Sequence, residues 1–444
     1  MRLERLQLGL FAATAATCSL SIFASQAFFG LAMAVYLWRL ASGRTPPARL
    51  AVDGPVLAFV VWTLLSAAFA PDPLASHASA KKLVLFALLY LAVDSCASER
   101  TRECLVTVAL FGALALSAQS VLQYLFLGFD TVHNRPKGFL GHYMTAAGLE
   151  AAALVTAVAR LLFPPAGGLA PPGGRLRRRD FVPIAVLGAV LLGLTLLERA
   201  FLPDLLARRL FVTGMGIAGI AFTLRRESWP AAGTVVAAAT AAVAAWALVV
   251  SQTRNAWLGA VFGLAAVLVL RAPRTLWLLA AAVAAILLAR PASIAQRLTF
   301  SDASSIDRYY MWQAGFDMIR DKPIMGQGPG MILRAYPKYR WPEAPNPQQP
   351  HLHDNPLQIA AERGLPALVF WVWMMAVLLA TALREARTGP GSPHFEGAAA
   401  FGAVVTLLVA GVFEYNFGDS EVLMFTLVVA ALPFAARRGR TRTA

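Results

Sequence analysis

The sequence predicts an all-α, polytopic membrane protein, and three observations lead to that class. Of its 444 residues, 58% are hydrophobic and only 14% are charged, whereas soluble domains carry about 25% charged residues. The mean hydropathy is +0.60. Apolar stretches of roughly 15 to 25 residues recur along the chain, at the length that a helix needs to cross a bilayer. These features exclude a single water-soluble globule.

Apolar segments bounded by Arg, Pro or Gly mark the candidate spans. Several are only about 15 residues long, and one early hairpin can lie in the interface instead of crossing, so we expect 12 to 14 transmembrane helices. The chain then divides into helices over residues 1–289, a large loop with short helices over 290–363, and three last helices with a basic tail over 364–444. The candidate spans lie at about 7–23, 26–40, 54–70, 81–96, 103–127, 139–163, 181–197, 206–224, 229–251, 255–270, 274–289, 364–384, 397–416 and 421–436.

The charge of the chain follows its topology. There are 39 Lys and Arg against 24 Asp and Glu, a formal net charge of +15, which in a soluble protein would suggest nucleic acid. Here the Arg-rich segments fall in alternate connections, as expected when cytoplasmic loops carry the positive charge. We therefore expect both termini and the Arg-rich loop at 164–179 on the cytoplasmic side, and no nucleic-acid partner.

The same topology leaves several cations on the outer face, against the general bias. Long basic side chains can anchor a helix end at the membrane surface, but several together favour an anion held at the outer leaflet. Those at helix ends or in short connections include Lys81, Lys82, Arg135, Lys137 and Arg254.

The segment 290–363 differs from the rest of the chain, because charged and aromatic residues are mixed in it and a Pro-rich stretch divides it. A loop of this length without regular structure is uncommon unless it is functional. An amphipathic helix is predicted over 308–322, lying either on the membrane surface or against the bundle. The side chains that recur at helical spacing are Tyr309, Trp312, Phe316 and Ile319.

Two of the six histidines, His351 and His353, stand directly before a predicted short helix. Asn355 as N-cap and Gln358 three residues later form a capping-box pattern, and Gly364 ends the helix. The helix dipole disfavours imidazolium there, so His353 is expected in the neutral form that can accept a proton. A general base, a metal ligand and a structural hydrogen-bonding role all remain open at this point.

The cations predicted on the same face as these histidines limit the reactions that the site could catalyse. The planar guanidinium of Arg254 suits phosphate, although it could instead cap a helix end. Arg308 begins the amphipathic helix, and Lys137 and His142 lie at the outer end of another span.

The outer segments contain no D-x-D, G-x-S-x-G or H-E-x-x-H and no paired Cys, which argues against metal-bound diphosphate chemistry, a serine hydrolase and a zinc peptidase. A histidine beside cations suits attack by a hydroxyl on an activated carbon with a phosphate-type leaving group.

Taken together, these motifs resemble the O-antigen ligase and polymerase superfamily of bacterial inner-membrane glycosyltransferases. The resemblance covers roughly residues 135–435. The sequence departs from the family signature at Asp354, where the family usually has Asn. Four motifs match in order: G-x-x-x-H at 138–142, S-x-x-R-x-x-x-L-G at 251–259, R-x-x-x-W with P-x-x-G-x-G over 308–328, and H-x-H-x-N-x-L-Q with E-x-G over 351–364.

The resemblance implies a GT-C-like arrangement and an O-antigen ligase. Such an enzyme transfers glycan from undecaprenyl diphosphate to lipid A-core at the periplasmic face of the Gram-negative inner membrane, with inversion and without metal or cofactor. The implied partners are this lipid-linked donor, the lipid A-core acceptor and membrane lipids. The resemblance assigns His353 as general base and Arg254 and Arg308 as diphosphate-binding catalytic residues. The further substrate-binding residues that it implies are His351, Lys137, His142, Arg135, Tyr309 and Trp312.

Other functions share some of these features. An O-antigen polymerase or a protein O-oligosaccharyltransferase would use the same donor and leaving group. A transporter of lipid-linked glycan would also need cations near the membrane, but transporters favour internal repeats and polar sites near the midplane. No repeat is evident, and Glu150 is the clearest ionisable residue deep in a span.

Overall fold

A computed structural model describes most of the chain. Much of the loop at 164–179 and the start of the segment 290–363 lie outside the described residues, so the predictions made for them stay predictions. The described ranges are 2–131, 133–163, 178–200, 205–224, 230–271, 273–289, 303–387 and 394–443.

Helices account for all the regular structure in these ranges. A 3₁₀ segment, Ala80–Phe86, joins α4 to α5, so the predicted span at 81–96 begins as 3₁₀ rather than α-helix. The helices are α1 (Arg2–Thr17), α2 (Ile22–Ala41), α3 (Asp53–Ala68), α4 (Pro73–Ser79), α5 (Ala87–Ser95), α6 (Glu99–Phe126), α7 (Tyr143–Leu162), α8 (Arg178–Ala200), α9 (Leu205–Leu224), α10 (Pro230–Ser251), α11 (Arg254–Arg271), α12 (Leu276–Ala289), α13 (Ala303–Asp321), α14 (Ile332–Tyr339), α15 (Asn355–Arg387), α16 (Phe395–Ala410) and α17 (Ser420–Thr443).

Many of these helices are long and apolar enough to cross a membrane. Within the described ranges, nine helical segments meet that requirement, and four shorter apolar helices accompany them. The most deeply buried are α6, α7 and α17, around which the other helices pack. The prediction of an all-α, polytopic membrane protein is confirmed.

Small residues let the central helices approach closely. Gly259 and Gly263 of α11 form a G-x-x-x-G pattern that faces α16. A Cβ atom on Gly263 would lie 2.1 Å from Oγ1 of Thr406, and one on Gly259 would lie 2.9 Å from the Thr406 carbonyl oxygen. Close backbone approach of this kind favours helix association in a bilayer. Lipid tails are as apolar as the side chains, so burial of apolar surface contributes little free energy there.

The two ends of the bundle differ in chemistry. We call the end that carries residues 351–353 the histidine end, and the end where α17 terminates the basic end. At the basic end, ion pairs with buried carboxylates tie helices that are distant in sequence. They are Arg39 with Asp94 (2.5 Å), Arg102 with Glu396 (2.7 Å), Arg160 with Glu103 (2.8 Å) and Arg440 with Glu385 (2.6 Å).

A small layer covers the histidine end. Helices α13 and α14 pack on the first turns of α15 around Met311, Met318 and Tyr336. Trp312 and Ile319 of the predicted amphipathic face pack against this cluster, whereas Tyr309 and Phe316 of the same face are 56% and 50% exposed. Both aromatic rings therefore point outward, which a purely soluble layer would not favour.

The helix α15 begins nine residues before the predicted span at 364–384. It is two helices joined at a kink, and Gly364 at the joint has φ +80° and ψ 168°. A Cβ atom on Gly364 would lie 1.8 Å from the Ile324 carbonyl oxygen, so only glycine fits. The prediction that Gly364 ends the short helix after His353 is confirmed.

Candidate functional site

The two histidines are held by the start of α15. Leu352 between them is fully buried, and its N–H donates to Oε1 of Gln358 at 2.7 Å. The imidazole rings of His351 and His353, on either side of Leu352 in the sequence, lie next to each other, with ring centroids 4.1 Å apart. His353 has φ +50°, which non-glycine residues rarely adopt and which is found most often at functional sites.

The cap of this helix is one residue earlier than predicted. The Oδ1 atom of Asp354 accepts the N–H of Leu357 at 2.6 Å, which is the contact of an N-cap residue. The prediction that Asn355 serves as N-cap is therefore wrong. An Asp caps a helix as well as an Asn, so Asp354 frees Asn355 for contacts outside the helix.

A carboxylate that the sequence analysis did not single out completes the histidine pair. Glu414 lies in the connection 411–419 between α16 and α17, and its Oε2 atom is 2.9 Å from Nδ1 of His353. A carboxylate only accepts hydrogen bonds, so Nδ1 of His353 donates and its Nε2 atom keeps a lone pair. The Nδ1 atom of His351 is 4.0 Å from Oε1 of Glu414, which is too long for a hydrogen bond.

The electrostatics of the pair follow from burial and proximity. Burial alone would raise the pKa of Glu414, but the hydrogen bond to His353 and the positive charge of Arg308 nearby hold that pKa below its ordinary value. Burial and, to a smaller extent, the neighbouring His353 lower the pKa of His351 to about 4. Glu414 is therefore ionised and His351 neutral near pH 7.

Electrostatic effects and side-chain contacts connect three predicted cations to this pair. Arg308, in the first turns of α13, lies close enough to lower the pKa of both His351 and Glu414. The turn at Gln252, with φ +51°, makes Arg254 the first residue of α11. An Nη2 atom of Arg254 donates to Oγ of Ser305 at 3.3 Å, so this guanidinium meets α13 one turn before Arg308.

The third cation belongs to the G-x-x-x-H motif. The guanidinium of Arg135 lies 4.2 Å from the ring centroid of Tyr143, on which His142 stacks at 4.8 Å. Burial lowers the pKa of His142, Glu414 opposes this effect, and His353 and Arg135 add to it. These mutual effects place Arg135 and His142 beside the histidine pair.

The remaining predicted residues lie further out. The Nζ atom of Lys137 is 5.8 Å from the ring centroid of Phe129, and its backbone N–H donates to Gln123, so its contacts are with the end of α6. Trp312 packs against Phe413, with centroids 6.2 Å apart. Tyr309 is exposed beside Tyr310. None of these described contacts joins the three residues to the histidine pair.

A cavity of about 480 Å³ reaches His351 and lies between the 3₁₀ segment, α15 and the connection 411–419. Its cationic lining consists of Lys81, Lys82 and Arg363, whereas Arg254 and Arg308 do not line it. An Nη1 atom of Arg363 lies 2.6 Å from Oε2 of Glu362. The lysines belong to the outward cations found in the sequence, but Arg363 was missed because it lies inside a predicted helix.

Two acidic residues line this cavity, Glu362, which pairs with Arg363, and Asp419. The Oδ2 atom of Asp419 accepts the hydroxyl of Thr145 at 3.0 Å. Burial and, to a smaller extent, the charge of Glu414 raise the pKa of Asp419 to about 7, although the Thr145 hydrogen bond and Lys82 oppose the shift. Only part of its population carries a charge at neutral pH, so the cavity keeps a positive balance.

The histidine pair and Glu414 could also hold a metal ion. Their ligand atoms lie within 4.8 Å of one another, and two histidines with one glutamate form a known zinc ligand set. The 2.9 Å contact shows that His353 and Glu414 are joined directly by a hydrogen bond. The prediction of a metal-independent site stays a prediction.

Comparison with known families agrees with the motifs. Residues 239–372 match the family model described as O-antigen ligase. This region contains Arg254, Arg308, His351 and His353, whereas Glu414 lies outside it. No curated protein matches the chain. The match supports the assignment to the O-antigen ligase family that the motifs predicted.

Proposed function

From that family match, we propose that the protein is an O-antigen ligase that transfers glycan from undecaprenyl diphosphate to lipid A-core. The observation that carries the proposal is the 2.9 Å hydrogen bond between His353 and Glu414 beside Arg308. A buried carboxylate that orients a histidine is a recurrent device for general base catalysis.

His353 is the proposed general base. The acceptor hydroxyl gives its proton to Nε2, and its oxygen bonds to the anomeric carbon from the face opposite the diphosphate. The bond between that carbon and the diphosphate oxygen breaks, and the electron pair leaves with undecaprenyl diphosphate, which inverts the carbon. Glu414 keeps the Nδ1 proton in place and stabilises the imidazolium that forms.

Arg308 and Arg254 are the proposed ligands of the donor diphosphate, with Arg135 and His142 beside them. Guanidinium groups bind phosphate oxygens bidentately, and they stabilise the charge that develops on the leaving group. Arg254 contacts the same helix that carries Arg308, at Ser305, so the two cations can act on one diphosphate.

The acceptor also carries anionic groups, and the structure offers a second cationic surface for them. The cavity with Lys81, Lys82 and Arg363 reaches His351 but not the side of Arg308. We assign this cavity to the acceptor, so that the histidine pair stands between the two substrates. Tyr309 and Trp312 do not line this cavity, so their predicted role in substrate binding stays a prediction.

The Lys and Arg distribution supports a periplasmic site. The basic end of the bundle is Arg-rich, and cytoplasmic ends of membrane proteins carry such residues. The histidine end would then face the periplasm of a Gram-negative cell, in the inner membrane where undecaprenyl-linked glycans are available. Exposed aromatic rings such as Tyr309 and Phe316 suit a membrane interface.

Reconstitution tests the proposal and separates it from its rivals. Purified protein is mixed with undecaprenyl-diphosphate-linked glycan, with or without lipid A-core and with EDTA, and the acceptor is followed by gel shift. A shift that needs lipid A-core and vanishes in His353→Ala supports a ligase. Longer carrier-linked glycan without lipid A-core identifies an O-antigen polymerase, glycan on protein hydroxyls identifies an oligosaccharyltransferase, and no covalent product favours transport.

A further inference from the structure

The basic end of the bundle holds a second cavity, of about 590 Å³. It lies between the connection 46–51, which joins α2 to α3, and the last turns of α17. It shares no lining residue with the cavity at the histidine end. Its lining includes Arg49, Leu50, Val93, Phe434, Arg437 and Arg438.

One arginine of this cavity, Arg437, shares its carboxylate partner with Arg440. Oε1 and Oε2 of Glu385 accept from both terminal nitrogens of Arg440, at 2.6 and 2.7 Å. The same carboxylate is 3.4 Å from Nε of Arg437. One negative charge therefore faces two arginines, and the stronger contact belongs to Arg440, which does not line the cavity.

The other acidic groups near the cavity are bound elsewhere. Asp94 lies 2.5 Å from Arg39 and accepts the Thr45 hydroxyl at 2.6 Å. Asp53 accepts the N–H of Leu50 at 2.9 Å and the hydroxyl of Tyr90 at 2.7 Å. The cavity thus keeps a positive balance inside the described part of the chain.

The walls of the cavity are amphiphilic. Leu50, Val93 and Phe434 supply apolar surface next to the guanidinium groups. An Nη2 atom of Arg438 donates to the Pro46 carbonyl oxygen at 3.0 Å, which fixes the end of α17 against the connection 46–51. A small free anion would leave the apolar walls in contact with water, whereas a phosphate attached to acyl chains would cover them.

We propose that this cavity binds the headgroup of a phospholipid with a net negative charge. Arg49, Arg437 and Arg438 contact the phosphate, and the apolar walls contact the first carbons of the acyl chains. Basic pockets between transmembrane helices bind acidic lipids in this manner. The site is independent of the proposed glycan transfer, since it lies at the opposite end of the bundle.

Native mass spectrometry of the detergent-purified, full-length protein tests this inference. The probes are phosphatidylglycerol, phosphatidylethanolamine and soluble glycerol phosphate. The variants are Arg49→Ala and the double variant Arg49→Ala with Arg437→Ala. Arg49 is exposed, so its single variant keeps the fold. Arg44→Ala is the matched control, because Arg44 is an exposed arginine just before the same connection and does not line the cavity.

The proposal predicts that phosphatidylglycerol binds at least about tenfold more tightly than phosphatidylethanolamine, which is a modest electrostatic preference. The double variant should lose this preference, Arg49→Ala should weaken it, and Arg44→Ala should leave it unchanged. Equal binding of the two lipids, or an unchanged preference in the double variant, would overturn the proposal. Glycerol phosphate that binds as tightly as the lipid would show a free-phosphate site instead.

Discussion

Asn355 and Asn416 join the two segments that bear the histidine pair and its carboxylate. The Nδ2 atom of Asn355 donates to Oδ1 of Asn416 at 2.6 Å, and Oδ1 of Asn355 accepts the N–H of Phe417 at 3.1 Å. The backbone N–H of Asn355 also donates to the Gly411 carbonyl oxygen at 2.7 Å. One side chain thus fixes the start of α15 against the connection that carries Glu414.

Replacement of Asn355 should slow the reaction, although this residue is not one of the proposed substrate contacts. In Asn355→Ala, the connection 411–419 loses two hydrogen bonds, so Glu414 shifts relative to His353. We expect kcat to fall at least about tenfold, since small misplacements of catalytic groups are costly, with the donor KM nearly unchanged. Steady-state kinetics on reconstituted protein measures this. Asn134→Ala, at an exposed asparagine outside the site, is the control, and an unchanged kcat in Asn355→Ala would contradict the argument.

Glu414→Gln tests the orienting carboxylate directly. The variant keeps the size of the side chain but loses the charge that stabilises imidazolium, so kcat should fall about 10²-fold or more, as for other general base systems. In the double variant with His353→Ala, the losses should not add, because the two groups act as one unit. Glu343→Gln, at an exposed glutamate, should retain full activity. Additive losses in the double variant would separate the roles of the two residues.

Variants of the surface with Arg308 and of the cavity with Lys81 should have different kinetic effects. Arg308→Ala is expected to raise the donor KM and lower kcat, since it removes contacts to the leaving diphosphate. Lys81→Ala is expected to raise the acceptor KM with the donor KM unchanged. Arg320→Ala, which removes an exposed arginine of α13, is the control. The assignment of the surfaces is reversed if Lys81→Ala raises the donor KM instead.

Metal ions offer a test of the histidine pair. EDTA should leave activity unchanged, whereas Zn²⁺ should inhibit, because His351, His353 and Glu414 form a ready ligand set. Bound zinc would replace the hydrogen bond between His353 and Glu414. Glu414→Gln should bind zinc more weakly, which calorimetry can measure without any activity. Loss of activity in EDTA with recovery on metal addition would make these residues a metal centre.

Asp419 should make stability depend on pH. Its pKa is raised to about 7 in the folded protein, whereas an unfolded Asp titrates near pH 3.9. Between these values the folded state binds more protons than the unfolded state, so the free energy of unfolding falls as pH rises from about 4 to 7. Asp419→Asn keeps an acceptor for Thr145 and removes this dependence.

Thermal unfolding in detergent at pH 5 and pH 8 measures the effect. The variant should melt at least about 1 °C above the wild-type protein at pH 8, because about 1 kcal/mol shifts the melting temperature of a chain of this size by roughly 1 °C. The difference between the two proteins should shrink at pH 5. An equal difference at both pH values would mean that Asp419 does not titrate in this range.

The sequence predicts the helices well, and it also names the histidines and arginines of the candidate site, because both depend on local patterns. Hydropathy locates the apolar helices, and the glycine at 364 marks the kink since its left-handed backbone admits no Cβ atom. The motifs locate His351, His353, Arg254 and Arg308. The spacing of the α13 side chains predicted an amphipathic helix, but it left open whether the apolar face lies on the membrane or on the bundle, because spacing alone does not say what covers a helix face.

The other half of the site depends on tertiary packing. Glu414 lies 61 residues after His353, and only the crossing of α15, α16 and α17 brings the two together. A polar signal exists, since Glu414, Asn416 and Asp419 interrupt two apolar runs. That signal does not identify His353 as the residue that Glu414 contacts. The capping pattern indicated Asn355 as the N-cap of α15, although Asp354 makes the capping hydrogen bond in the structure.

The left-handed backbone at His353 is held by the hydrogen bond from its imidazole to Glu414. A glycine at that position would relieve the conformational strain, which costs about 1 kcal/mol or more for other residues, but it would also remove this hydrogen bond from a buried carboxylate. Loss of a hydrogen bond to a buried charge costs at least as much as the strain, so laboratory evolution for expression or heat tolerance alone would not reward His353→Gly. The contact that orients the imidazole thus also protects the histidine against replacement.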